Sequence, residues 1–145
     1  MTVLAAGPVV VDTGPLVAAF NRDDRHHKVC ADLVERYPGP LLVPPTVIVE
    51  VCQLVEKELG SRSEADFLAS FPDALIMVDL VDDDLRRMSA LVNQYASLRL
   101  GAADASVIAV AERLNIPTVA TLDRRHFTVV RPCHVDSLVL LPFEL

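Results

Sequence analysis

An α/β fold with a mainly parallel central sheet, flanked by helices on both faces, is predicted for this chain on three observations. Short apolar or β-branched runs recur, segments with helical spacing separate them, and the two kinds of segment alternate. Such alternation implies parallel neighbours joined by helical crossovers. In order, residues 8–11 (Pro-Val-Val-Val) form the first run, too short for a helix and suited to a strand buried on both faces. Val29, Leu33, Val34 and Tyr37 recur at helical spacing and predict a first amphipathic helix. Residues 41–43 form a second strand; Pro44 and Pro45 suit a helix start, and Gly60 suits a helix end. Between them Val47, Val51, Leu54, Val55 and Leu59 make one apolar stripe. Residues 75–78 read as a third strand, and Leu85, Met88, Leu91, Val92, Tyr95 and Leu98 as the stripe of a further helix. Residues 102–114 are apolar nearly all round, as expected of a helix inside the molecule; residues 118–120 and 138–141 complete the strands.

The 145 residues are 52% hydrophobic and 23% charged, a composition for one folded domain over 1–145 and not for a disordered segment. The longest stretch without charge, residues 37–49, contains four prolines and falls short of the roughly 20 apolar residues that span a bilayer. Residues 1–11 have no basic start and no small-residue cleavage site, so they do not read as a secretory leader. Cys30, Cys52 and Cys133, an odd number without a C-x-x-C pair, are expected to be buried reduced thiols of a cytoplasmic protein. A mean hydropathy of +0.38 points to apolar surface covered by a partner. With 13 basic against 20 acidic residues the net charge is -7 and the pI near 4.9, which argues against binding nucleic acid through a diffuse basic face. Any nucleic acid must be held locally. Of the bases 11 are Arg, whose planar fork suits phosphate.

Four acids stand out by position. Asp12 and Asp123 follow predicted strands, where parallel sheets bind ligands. Glu50 and Asp104 interrupt apolar segments, where an unpaired carboxylate costs several kcal/mol or gives up its charge. Each has an ordinary alternative: Asp104 as a helix N-cap, Glu50 on the wet edge of its helix, Asp12 and Asp123 in turns. A single hard divalent cation accounts for all four together, because it prefers carboxylate oxygen and neutralises the cluster.

Competing motifs fit less well. Asp12-Thr13-Gly14 matches the loop of aspartic proteases, but that fold is nearly all β. A phospho-acceptor receiver domain needs an adjacent acidic pair after its first strand and a Lys near its last, both absent here. His26, Cys30, Cys133 and His134 include zinc-type ligands without a C-x-x-C or H-x-x-x-H pair. The five glycines form no phosphate-cradling loop, so no nucleotide cofactor is expected.

The motifs resemble those of the PIN-domain nucleases, and within them the VapC-like toxins of bacterial type II toxin–antitoxin modules. The resemblance spans nearly the whole chain: Val10-Val11-Asp12-Thr13, the Asp-x-x-His stretch Asp23 to His26, Pro45-Thr46-Val47-Ile48-Val49-Glu50, Leu100-Gly101-Ala102-Ala103-Asp104-Ala105, and Thr121-Leu122-Asp123-Arg124-Arg125-His126-Phe127. Gly14 departs from the Ser or Asn often found there. The resemblance implies a PIN-like fold and an endoribonuclease that uses Mg2+ or Mn2+. It implies that Asp12, Glu50 and Asp104 bind the principal ion, that Asp123 completes the site or binds a second, and that Thr13 and Thr121 are supporting hydroxyls. It further implies a cognate antitoxin, an RNA substrate and a homodimer. Arg99, Arg124, Arg125 and His126 are expected on the rim of the site, gripping RNA phosphates; Arg124 and Arg125 as solvated loop charges are the competing reading. Two other functional classes stay open, a PIN module that binds RNA or protein without cutting and a nuclease directed at DNA or flaps.

Overall fold

Five short strands form an all-parallel sheet in the order β3-β2-β1-β4-β5. They are β1 (Val9–Val11), β2 (Leu41–Val43), β3 (Ile76–Met77), β4 (Thr118–Ala120) and β5 (Val139–Leu141). The structure is a computed structural model describing residues 6–145; residues 1–5, on which the leader reading partly rests, lie outside the described residues. Among the described residues seven α-helices join the strands: α1 (Thr13–Phe20), α2 (His27–Arg36), α3 (Pro45–Leu59), α4 (Ser61–Ala74), α5 (Asp82–Gln94), α6 (Ala102–Arg113) and α7 (Arg124–Val129). None is long and apolar enough to cross a membrane.

The predicted strands are all present, but burial on both faces holds only at the centre of the sheet. Val9, Val10, Val11, Val119 and Ala120 are shut from solvent, whereas Ile76 and Met77 on edge strand β3 are 51% and 53% exposed. Each edge strand has one neighbour, so apolar runs of similar strength end in different surroundings. The helical stripes are trimmed in the same way. Val47, Val51, Val55, Met88 and Leu91 enter the core, while Leu54, Leu59, Leu85 and Val92 remain exposed. Cys30 and Cys52 are buried thiols as expected; Cys133 is exposed, because it lies in the irregular segment between α7 and β5.

Local chemistry explains the helix boundaries. Pro45 opens α3 where its missing N–H costs nothing, and Gly60 stops it at φ 92°, a left-handed value that a side chain resists. The helix α1, not among the elements predicted from sequence, carries Gly14 and Pro15, residue types that favour turns. Both fall in its first turn, where backbone N–H groups have no intrahelical partner anyway. Helix α4 has Pro72 in its last turn and is anchored by Phe67 and Phe71, with Phe20 and Phe71 both edge-on to Phe67. Gly39 is required by close approach: a Cβ there would lie 2.5 Å from the Gly7 carbonyl oxygen.

Helix α6 is the central element, with residues 105–111 all buried, and it packs on β1 and β4. Two Arg–carboxylate pairs bind α5 to it. Arg87 forks onto Glu112 with contacts of 2.7 and 3.0 Å, and Arg113 Nε lies 3.0 Å from both oxygens of Asp84. Asp84 is 2% exposed and also accepts the Val81 N–H at 3.0 Å, so a buried acid outside the strand ends is fully partnered. Asp84→Ala is expected to destabilise the fold by about 2–4 kcal/mol, because Arg113 and the Val81 N–H lose their acceptor together. Urea unfolding checks this; a change under about 0.5 kcal/mol would mean that the pair adds no net stability.

Candidate metal centre

The parallel topology determines which side chains meet. Strands β1 and β4 are neighbours and run the same way, with Val11 opposite Ala120, and the Asp12 N–H extends the ladder to the Ala120 carbonyl at 2.8 Å. The order in which strands are laid down also reverses here, since β2 lies on one side of β1 and β4 on the other. The crevice above such a switch point is where open α/β sheets hold ligands. Asp12, Thr121 and Asp123 leave the carboxyl ends of these two strands. Glu50 comes from the second turn of α3 and Asp104 from the first turn of α6.

These four acids line one cleft of about 460 Å3, together with Thr13, Gly14, Val17, Asp24, Leu54 and Leu122. A neighbouring groove of about 570 Å3 shares Glu50 and Asp104 and runs on over Pro45, Thr46, Val49 and Gln53. No Lys or Arg lines either one. Asp12 is only 4% exposed: its Oδ2 accepts the Thr121 hydroxyl at 2.9 Å, while Oδ1 is buried with no hydrogen-bond partner. Burial pushes Asp12 up to about 7, and the Asp104 charge adds to this more than Glu50 does, against the Thr13 N–H and the Thr121 hydroxyl. Burial also raises Asp104; the charges of Asp123 and Glu50 add to it, and the hydrogen bond from His126 opposes it.

Hydroxyls fix the carboxylates. Thr13 donates to Glu50 Oε2 at 3.0 Å, and Thr121 Oγ1 both donates to Asp12 and accepts the Asp123 N–H at 2.9 Å. A third arrangement was not foreseen from sequence. Thr46 Oγ1 lies 2.6 Å from Ser106 Oγ, which in turn donates to the Ala103 carbonyl, pinning α3 to α6 beside Glu50 and Asp104. The signal was present: Ser106 is a polar residue inside an apolar helix, the criterion that singled out Asp104. Asp24 was also missed, although it lies within the stretch noted for its Asp-x-x-His spacing.

The N-cap of α6 is Gly101, not Asp104, which sits in the first turn where a negative charge is favoured by the helix dipole. Asp123 does cap its helix, accepting the His126 N–H at 3.0 Å through Oδ1. Of the expected rim residues, Arg99 and Arg125 are exposed. Arg124 turns its guanidinium to the Pro142 carbonyl, and His126 points its ring inward, with Nδ1 2.7 Å from Asp123 and 3.1 Å from Asp104. Gly14 has a packing reason, since a Cβ there would lie 3.2 Å from Leu122 Cβ. The donor set is oxygen-rich, its charges are unmatched by Lys or Arg, and one buried oxygen is orphaned. Those are the requirements of a hard divalent cation, and the residues present fit one.

Comparison with known proteins bears on the family and the fold. A family profile described as PIN domain matches residues 9–131. Ribonuclease VapC26 of Mycobacterium tuberculosis is 27% identical over 135 residues, covering 92% of this chain and 100% of the relative. The crystal structure of Mycobacterium tuberculosis VapC20, described as a Sarcin-Ricin loop cleaving toxin, aligns with TM-score 0.77 at 19% identity, covering 88% of this chain and 98% of that one. A toxin–antitoxin complex from Klebsiella pneumoniae aligns with TM-score 0.64 at 20% identity, covering 84% and 92%. At these identities the structural likeness is one of fold.

Without divalent metal, Asp12 makes the stability of the protein depend on pH. In the unfolded chain it ionises near 3.8, whereas in the fold it keeps its proton up to about 7. The folded state therefore binds more protons between these values, and stability falls as pH rises through the window. Asp12→Asn removes that fall, so in chelator at pH 8 the variant is expected to be more stable than the parent by about 1–3 kcal/mol, with little difference at pH 4. Urea titrations at the two pH values measure it, and equal stabilities at pH 8 would contradict the assigned burial cost.

Proposed function

Because the chain belongs to the PIN domain family, with distant homology to VapC ribonuclease toxins, we propose that it is a divalent-metal-dependent endoribonuclease and the toxin of a toxin–antitoxin module. The observation that carries this reading is the orphaned Oδ1 of buried Asp12, a residue lining a cleft with four further carboxylates, Asp24, Glu50, Asp104 and Asp123, and no Lys or Arg. Asp12, Glu50, Asp104 and Asp123 are proposed as the residues that hold Mg2+ or Mn2+ within a single nuclease domain. When bound, the cation supplies an activated water, a template for in-line attack on phosphorus and charge neutralisation at the leaving oxygen.

The chain's own residues act by positioning. Thr121 holds one oxygen of Asp12 and Thr13 one oxygen of Glu50, so the remaining oxygens of both carboxylates are left for the ion. No side-chain nucleophile is required, and the products are expected to carry 5′-phosphate and 3′-hydroxyl ends. Exposed Arg99 and Arg125 are the candidates to hold RNA phosphates flanking the cut. Arg124, half-buried against the C-terminal segment, would reach RNA only after leaving the Pro142 carbonyl. A protein antitoxin is the proposed partner, in keeping with the toxin–antitoxin complex among the structural neighbours. Homodimerisation is proposed from the mean hydropathy and the exposed Ile76, Met77 and Leu85. The unpaired cysteines support a cytoplasmic setting.

The test is cleavage of structured RNA with added Mg2+ or Mn2+. Asp12→Asn and Asp104→Asn are each expected to lower the rate by about 100-fold or more while circular dichroism shows an unchanged fold. Full cleavage by both variants would defeat the assignment. Saturable metal binding without any cleavage would favour a non-catalytic binding module, and preference for single-stranded DNA over RNA would favour the DNA-directed reading.

A further inference from the structure

We propose that His126 is itself a ligand of the cation centre, through Nδ1, so that Asp104, Asp123 and His126 form a mixed oxygen–nitrogen half of the site that favours Mn2+ over Mg2+. The proposal deepens the metal-nuclease reading above and rests on it. One oxygen of each carboxylate and one ring nitrogen lie within 4.8 Å of one another. Nδ1 is 2.7 Å from Asp123 Oδ2 and 3.1 Å from Asp104 Oδ2. Adjacent ligands of an octahedral ion with bonds of about 2.1 Å are about 3.0 Å apart, so these spacings match an octahedral edge.

The other ring nitrogen supplies the second argument. Nε2 lies 3.0 Å from the Leu98 carbonyl oxygen, which can only accept. A neutral ring with its hydrogen on Nε2 would keep that contact and present the Nδ1 lone pair to an ion held between the two carboxylates. A backbone carbonyl behind an imidazole is the usual outer support of a metal-binding histidine, because it fixes the tautomer and the ring plane. The fold prepares Asp123 in the same way: Oδ1 is occupied by the His126 N–H of the α7 cap, which leaves Oδ2 for an ion. Asp12, nearly all of whose surface is buried and whose Oδ1 is orphaned, lines the cleft that Asp104 and Asp123 also line and independently calls for a cation there. Magnesium takes oxygen ligands almost exclusively, while affinity for imidazole rises along the first-row transition ions, which makes the nitrogen a selectivity element.

The opposing account is that His126 is a protonated counter-charge bridging two carboxylates, which a bound cation would have to displace. The two accounts differ in sign. Titration of the intact chain with Mn2+ alone, without RNA, combined with pulsed electron spin-echo spectroscopy of the bound ion, separates them. A directly coordinated 14N is expected in the parent and absent in His126→Ala and His126→Asn. Both variants are expected to bind Mn2+ about tenfold or more weakly, while Mg2+ affinity changes by less than about threefold. Absence of a nitrogen coupling in the parent overturns the proposal whether or not the variants fold. Unchanged or tighter Mn2+ binding in folded variants overturns it too, and tighter binding is the signature of the counter-charge. Nitrogen-coupled Mn2+ on a protein that cuts no RNA would defeat the nuclease reading and leave this proposal standing; cleavage without coupling would do the reverse.

Discussion

The arrangement of this molecule depends on a carboxylate at the end of its most buried strand. Three valines with essentially no solvent exposure deliver Asp12 to the interior edge of the sheet, where one oxygen finds the Thr121 hydroxyl and the other finds nothing. Parallel pairing makes this unavoidable. Once Val11 is opposite Ala120, the next residues of both strands emerge side by side, and Thr121 and Asp123 are carried to Asp12. Helices α3 and α6 then close the space from outside. The Thr46–Ser106 contact holds them at a separation that brings Glu50 and Asp104 toward the same cleft. Each of these contacts arranges negative charge, and none supplies a Lys or Arg.

The chain is able to partner buried acids when partnering is the aim. Asp84, as deeply buried as Asp12, has a guanidinium and a backbone N–H, and Glu112 has Arg87 together with the Cys133 N–H at 2.6 Å. The arginines that settle these pairs lie between α5 and α6, away from the strand ends, and Arg124, adjacent in sequence to Asp123, is turned off toward Pro142. Stability alone would have favoured the opposite distribution, because an unpartnered buried carboxylate costs several kcal/mol. A cost concentrated at the carboxyl end of a central strand, with the buried Asp84 paired, is the pattern that the proposed cation site calls for.

What the sequence disclosed and what it hid divide along physical lines. The five strands and the four acids were legible because each is a local contrast: a short apolar run, or a charge inside one. Helix α1 was hidden since Gly14 and Pro15 carry turn propensity that the first turn of a helix tolerates. The edge exposure of Ile76 and Met77 was hidden because strand order is a tertiary property, and Cys133 because its exposure follows from an irregular segment. The direction of a long side chain is likewise decided by partners distant in sequence. Nothing in Arg124-Arg125-His126 says that the first turns to residue 142 while the third reaches back to residues 98 and 104.

The overall charge of -7 takes on a different meaning once the acids are located. Setting aside Asp12, Glu50, Asp104 and Asp123 leaves 13 bases against 16 acids, or -3, so more than half of the excess is gathered at one cleft. The N-terminus of α6 offsets a part of it, with Asp104 in the first turn, but a helix end contributes about half a unit charge. A phosphodiester approaching the bare cleft meets repulsion from groups that are poorly screened by solvent, and a divalent ion reverses the sign of that field. In the proposed site the ion would therefore do two things that the protein alone cannot: relieve the unpartnered Asp12, and turn a surface that rejects polyanions into one that holds them. On the proposed function, acidity and nucleic-acid chemistry are compatible in one small domain, because the positive charge that RNA requires would be acquired with the metal and confined to the point where the chain would be cut.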